Sequence, residues 1–306
     1  MGGNRTVRAV APAKVNLALR VGAQRADGFH PLNTIFEAMN ISEIVTAKDA
    51  DSLSLEFDAS TGLGGDLPTD SSNLAIRAGL ALQEKFGVRA GAHLVIEKHI
   101  PVAGGMAGGS ADAAAALVAL NELWGIEASA EELAELAIGL GSDVPFALFG
   151  GVARGLSRGE DLEPIVAGAE HGFVMLTNPR GLSTPAVFRE FDRMGVASGG
   201  EPADTDDLRA AIQGNDLEAV GQLLMNDLEA PAFSLRPDLA ETVGQLRNQM
   251  RTHGGYQGVI LSGSGPTIAV LCRPSDAADL ARELQREYPE LTALAATGPV
   301  PGTHLI

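Results

Sequence analysis

An α+β fold is what this 306-residue sequence predicts, on three observations. Near the N-terminus, residues alternate strictly between apolar and polar, as a strand with one buried face requires. Alanine- and leucine-rich segments with helix-capping residues stand between such stretches. The second half, its extra helices set aside, runs β-α-β-β-α-β, the order of a ferredoxin-like unit.

From Lys14 to Val21 the residues Val15, Leu17, Leu19 and Val21 share one face and Lys14, Asn16, Ala18 and Arg20 the other. This strand therefore presents Lys14 and Asn16 side by side. Leu53, Leu55 and Phe57 mark a second strand, and Asn73 to Phe86 a helix stopped by Gly87. A short strand at Leu94 to Ile96 leads through Lys98 and Pro101 into a glycine-rich stretch and then an Ala-rich helix ending near Trp124. Ser129 and Glu132 form a capping box for a helix through Leu140, ended by Gly141. In the second half, Phe173 to Thr177 is a strand, and Ser183-Thr184-Pro185 opens a helix through Arg193. Val196 to Asp207 is a polar loop, with helices near Asp216–Met225 and Pro237–His253. Strands at Gly258–Ser262 and Thr267–Cys272, a helix at Asp276–Tyr288 and a strand near Leu291–Ala295 complete the order. Dense glycine and charge between Gly150 and Gly172 locate the boundary; we divide the chain into residues 1–160 and 161–306.

Composition narrows the function. The chain carries 39 acidic and 22 basic residues, a net charge of −17. With a pI near 4.7, it lacks the basic faces that nucleic acid or anionic membranes require. A local site can still hold a small anion. The single cysteine, Cys272, forms no intrachain disulfide and no cysteine zinc cluster, which suits a reducing compartment. No signal-like or membrane-spanning apolar run is present, so a cytoplasmic protein is expected. The six histidines are dispersed, and no protein metal ligand is assigned.

The strongest local signal is Pro101-Val102-Ala103-Gly104-Gly105-Met106-Ala107-Gly108-Gly109-Ser110-Ala111, between strand and helix. Glycines let several N–H groups converge, and the helix start behind them adds partial positive charge, so a phosphate chain is the natural guest. Ser110 after Gly109 excludes a Walker A loop, which needs lysine there. The other reading is a surface loop or a close helix-packing site. Asp143, in Gly141-Ser142-Asp143-Val144-Pro145, is either an N-cap or a general base. Lys14 either sits at an exposed edge or stabilises charge beside a carboxylate. Asp27-Gly28-Phe29-His30 alone reads as a turn. Ser262-Gly263-Ser264-Gly265-Pro266 reads as a hairpin turn or a second wall near the phosphates.

In combination and in this order, these motifs resemble the GHMP kinases, the superfamily of galactokinase and of homoserine, mevalonate and phosphomevalonate kinases. The likeness runs over most of the chain, from Pro12–Leu17 through the glycine loop and Gly141–Phe146 to Ser262–Thr267. It implies a GHMP kinase fold, with an N-terminal ribosomal-protein-S5-like domain, a C-terminal ferredoxin-like domain and the site between them. Within the superfamily, Lys14-x-Asn16 with Asp27–His30 is most similar to the branch that uses ATP, with Mg²⁺, to phosphorylate the 2-hydroxyl of CDP-methylerythritol. By that resemblance Asp143 is the catalytic aspartate and Lys14 its partner. Pro101–Ala111 binds the ATP phosphates, with Ser110 a contact to phosphate or Mg²⁺, and Asn73 and Lys98 lie near the adenosine. Asn16, Phe29, His30, Thr184 and Phe188 form the substrate pocket, Phe29 standing where tyrosine is common.

Overall fold

The computed structural model describes residues 5–102, 104–195 and 200–306. Ala103 of the glycine loop and residues 196–199 of the expected polar loop lie outside the described residues. The alternation at the N-terminus belongs to a longer strand than expected. β1 (Thr6–Val21) pairs antiparallel with β2 (Leu32–Ala50) from Thr6↔Lys48 to Val21↔Leu32, with bulges after Pro12 and Asn16. This hairpin is the spine of the first sheet. β3 (Ser54–Phe57) leads through α1 (Leu74–Phe86) to β4 (Gly91–Glu97), which pairs with the far half of β2. After α2 (Gly108–Trp124), α3 (Ala130–Leu140) and α4 (Val144–Phe149), β5 (Val152–Ser157) pairs with the near half of β2, and β6 (Asp161–Ile165) with β5.

Helix α2 is buried against this sheet. Ala111, Ala113, Ala114, Ala115, Ala116 and Ala119 are fully buried, and such small side chains allow close packing of helix on strands. The capping box of α3 is formed as expected, Ser129 and Glu132 each taking the other's backbone N–H.

The chain crosses to the second sheet between Ile165 and His171, after β6 has completed the first sheet. β7 (His171–Thr177) is followed by α5 (Thr184–Met194), α6 (Asp206–Gln213), α7 (Leu217–Leu223), β8 (Met225–Asn226), α8 (Glu229–Leu235) and α9 (Pro237–His253). Then come β9 (Gly258–Leu261), β10 (Ile268–Cys272), α10 (Ala277–Glu287), β11 (Thr292–Gly298) and β12 (His304–Leu305). The second sheet has the order β11-β7-β10-β9 with every pair antiparallel, the ferredoxin-like arrangement expected from the sequence. β8 and β12 return to β1, so both halves of the chain build the first sheet. Phe173, Met175, Ile260 and Leu271 of the second sheet share a core with Val15, Ile35 and Leu117.

Strands β2, β5 and β6 escape the sequence reading. Residues 33–39 of β2 are buried on both faces, which removes the alternation that marks a half-exposed strand. No helix among the described residues is long and apolar enough to cross a membrane.

Candidate active site

Where the two sheets approach each other, two cavities of about 490 and 570 Å³ share the wall formed by Leu32, Asp143, Arg158, Thr184 and Phe188. The first lies against the glycine loop and is lined by Lys14, Asn16, Asn73, Lys98, Pro101, Val102, Gly104, Gly105, Ala107, Gly108 and Gly109. The second is lined by Phe29, His30, Ser110 and Ser142. Asp143 stands at their junction.

The loop is held from two sides. The backbone N–H of Lys14 donates to the Met106 carbonyl at 3.2 Å, and the Ser262 hydroxyl to the Gly105 carbonyl at 3.2 Å. Gly105 has φ +73°, and a Cβ there would lie 2.5 Å from the Ser262 carbonyl oxygen, so only glycine fits this approach. Ala107, with φ +62°, ends the loop in the same left-handed region without a side-chain cap. The N–H groups of Ser110 and Ala111 turn back to the Ala107 carbonyl. Those of Gly108 and Gly109 have no partner among the described residues and border the cavity, as free donors at a helix N-terminus. At Gly108 a Cβ would press on Ile100 and Glu43 at 3.2–3.3 Å, so this glycine serves packing beneath the loop.

Not every residue of the loop faces the cavity. The side chains of Met106 and Ala111 are buried in the core, so these two residues can offer a ligand only their backbone. Asn73 lines the cavity, but its side chain is engaged: it caps α1 by accepting from Ala75 N–H at 2.8 Å and donates to the Pro68 carbonyl at 2.8 Å.

Lys98 is likewise not a free cation. It is 2% exposed, and its Nζ lies 2.6 Å from Glu43 Oε1 and 2.8 Å from Asp112 Oδ2. Glu43 also accepts the N–H groups of His99 at 2.8 Å and Ile100 at 3.3 Å, which fixes the entry to the loop. Burial lowers the Lys98 pKa, but the two carboxylates outweigh it and the net direction is up. Burial and then the Asp112 charge push Glu43 up to about 7, against the pull of Lys98. Burial raises Asp112 as well. Two carboxylates thus share one lysine, and sequence reasoning gave neither a role. Asp112 was within view, two residues after Ser110; Glu43 lies on the unread strand β2.

Lys14 and Asp143 do come together, with Nζ 3.9 Å from Oδ2. Lys14 is 6% exposed and donates to Asn16 Oδ1 at 2.6 Å; Asn16 in turn donates to the Thr34 hydroxyl at 2.9 Å. Burial lowers the Lys14 pKa, opposed by the Asp143 charge. Lys14 is therefore no exposed edge residue. Asp143 occupies the N-cap position of α4, yet its carboxylate makes no capping bond and stays about one-third exposed. The capping reading fails, and the carboxylate is free for chemistry.

On the far side, His30 Nδ1 lies 2.9 Å from the Gly22 carbonyl, and its ring packs on Phe188 at 5.1 Å and edge-on to Phe191 at 5.7 Å. Thr184 is joined to Ser264 at 2.7 Å, bringing the Ser262–Pro266 turn to the site as a second wall. Phe29 is exposed and faces the Arg158 guanidinium at 5.2 Å.

Comparison with known proteins agrees with this geometry. The model of the GHMP kinases N terminal domain matches residues 73–151, and that of the GHMP kinases C terminal domain residues 208–290. The chain belongs to the GHMP kinase family. Members of this family similar to it include the 4-diphosphocytidyl-2-C-methyl-D-erythritol kinase of Kineococcus radiotolerans, 47% identical over 92% of this chain and 86% of its own. The protein of that name from Pseudarthrobacter chlorophenolicus is 44% identical over 99% and 95%. A crystal structure of 4-(cytidine 5'-diphospho)-2C-methyl-D-erythritol kinase superposes with a TM-score of 0.76 at 33% identity, over 95% of this chain and 98% of that one. The homoserine kinase of Cytophaga hutchinsonii, at 18% identity and TM-score 0.74, shares the GHMP fold.

Two outcomes are expected. Gly105→Ala lowers both thermal stability and ATP affinity, read by melting temperature and nucleotide titration; an unchanged melting temperature would show that the loop yields to a Cβ. The second outcome concerns pH. Because Glu43 rises from its ordinary 4.5 to about 7, the folded protein binds a proton that the unfolded chain has released in that window, and stability falls as pH rises through it. At ~1.4 kcal/mol per unit, the effect reaches up to about 3 kcal/mol. Glu43→Gln should flatten this slope in urea denaturation between about pH 5 and pH 8.

Proposed function

We propose that this chain transfers the γ-phosphoryl group of ATP to the 2-hydroxyl of 4-(cytidine 5'-diphospho)-2-C-methyl-D-erythritol, a step of the non-mevalonate isoprenoid pathway, in the cytoplasm. One observation carries the reading: a glycine-loop cavity and an aromatic-walled cavity share a wall, with one uncapped carboxylate, Asp143, at the junction. Two substrates can enter from opposite sides and react there. The names of the similar proteins supply the substrate class.

In this mechanism the free N–H groups of Gly108 and Gly109 hold the ATP phosphates from one side. Phe188, His30 and Phe29 clasp the cytosine on the other, a heterocycle that a small alcohol such as homoserine lacks. Asn16 and Thr184 border the space between. The acceptor oxygen attacks the γ-phosphorus, the bond to the bridging oxygen of ADP breaks, and the hydroxyl proton passes to the Asp143 carboxylate. Lys14, steadied by Asn16 and Thr34, stands beside Asp143 and offsets charge growing on the transferred group. Such a reaction asks chiefly for positioning and charge stabilisation.

Mg²⁺ accompanies ATP in this reading. Among the described residues no group of three His, Cys, Asp or Glu could hold a metal ion. The Ser110 hydroxyl and the Asp143 carboxylate, both on the second cavity, are the protein oxygens that would hold Mg²⁺ beside the phosphates. Bound there, it would neutralise charge on the transferring phosphoryl oxygens.

ADP release measured across the CDP-linked alcohol, homoserine and mevalonate tests the assignment. Turnover is expected with the first alone; turnover with homoserine in its place would overturn it. Asp143→Asn should lower kcat by roughly 10²–10⁴-fold while ATP affinity holds. Phe188→Ala should raise KM for the acceptor, since base stacking contributes ~1–3 kcal/mol, and leave KM for ATP unchanged.

A further inference from the structure

The wall shared by the two cavities carries a cation that the mechanism above does not use. Arg158 sits at the tip of the β5–β6 hairpin, between Ser157 with φ +61° and Gly159 with φ +107°. Its backbone N–H donates to Glu160 Oε2 at 2.8 Å and its Nε to Glu160 Oε1 at 3.2 Å, so one carboxylate grips both ends of the residue. The guanidinium lies over the Phe29 ring at 5.2 Å. Its two terminal nitrogens have no hydrogen-bond partner among the described residues. The side chain is oriented by Glu160, set over Phe29 and left, among the described residues, with a fork of unused donors.

The other cations of the site are differently placed. Lys98 is shared by Glu43 and Asp112, and Lys14 is held by Asn16 beside Asp143. Arg189 lines the second cavity alone, on the exposed face of α5. Arg158 lines both cavities, as does Asp143. A ligand with its base against Phe188 and His30 and its hydroxyl at Asp143 must carry its linking diphosphate through the space between, past Arg158. We propose that Arg158 binds the acceptor's diphosphate through its terminal nitrogens and so selects nucleoside-diphosphate-linked alcohols over small free alcohols.

Guanidinium suits this task. It is always charged, its planar fork matches two phosphate oxygens at once, and its face can rest on an aromatic ring meanwhile. Phenylalanine at position 29 provides that face without a hydroxyl. The inference rests on the functional reading above, and the experiment separates the two.

CDP, cytidine and ADP are titrated against the wild type and the variants Arg158→Gln and Arg158→Lys, with melting temperatures to establish folding. In Arg158→Gln the affinity for CDP is expected to fall roughly 10- to 100-fold, with cytidine and ADP affinities unchanged. Lysine, a point charge without the fork, should recover part of the loss. In turnover the loss should appear as a raised KM for the CDP-linked acceptor, with kcat and KM for ATP held. An Arg158→Gln protein that binds CDP as tightly as wild type, or one that loses ADP instead, overturns the assignment. A wild type that binds CDP but turns over no CDP-linked alcohol overturns the functional reading while leaving the Arg158 contact to stand or fall by the CDP titration.

Discussion

The site depends first on a lysine buried between two carboxylates. Lys98 at the end of β4, Glu43 on β2 and Asp112 on α2 bind one another from three different elements. Everything between Lys98 and Asp112, the whole glycine loop, is thereby closed at both ends. A loop of glycines free at its ends would spend its binding energy on being ordered. Here the ends are tied by charge among buried side chains, and the N–H groups of Gly108 and Gly109 already border the cavity. Leaving any one of the three without its partner would strand a buried charge, so the arrangement is held together as a unit.

A second set of contacts fixes the two sheets against each other around this loop. Ser262 reaches Gly105, Thr184 reaches Ser264, and Glu37 on β2 pairs with His171 on β7 at 2.7 Å. The first and the third tie the first half to the second, and the Thr184–Ser264 bond holds the turn between β9 and β10 against α5. The second cavity is consequently made by both halves: Phe29 and His30 come from the first, Thr184 and Phe188 from the second.

The same geometry explains how a chain of net charge −17 receives two polyanions. Acidity is a property of its whole surface, whereas the cavities offer backbone donors at a helix start, one buried lysine and one oriented arginine. Fixed dipoles and a few positioned cations act over a few ångströms, inside the distance at which the surface charge is screened by salt. Surface acidity and anion binding therefore coexist.

Asp143, His30 and Phe188 were singled out by the resemblance to the GHMP kinases, whereas the glycine loop and the side-by-side placing of Lys14 and Asn16 were legible from residue type and local spacing. So was the β-α-β-β-α-β order of the second half, whose strands are short and flanked by clear turn and cap signals. The long strand β2 was not, since burial on both faces erases the pattern that betrays a strand. The ion cluster under the loop was equally hidden, because Glu43 and Asp112 are 69 positions apart and only the pairing of β2 with β4 and the packing of α2 bring them to Lys98. By itself the sequence showed which groups could do chemistry, for that is set by what each side chain can donate, accept or charge. Only the tertiary structure decided which of them are free to do so. It took Lys98 and Asn73 into internal bonds, buried Met106 and Ala111, and left Asp143 uncapped and Arg158 with donors to spare, because a side chain's availability depends on neighbours that lie far away along the chain.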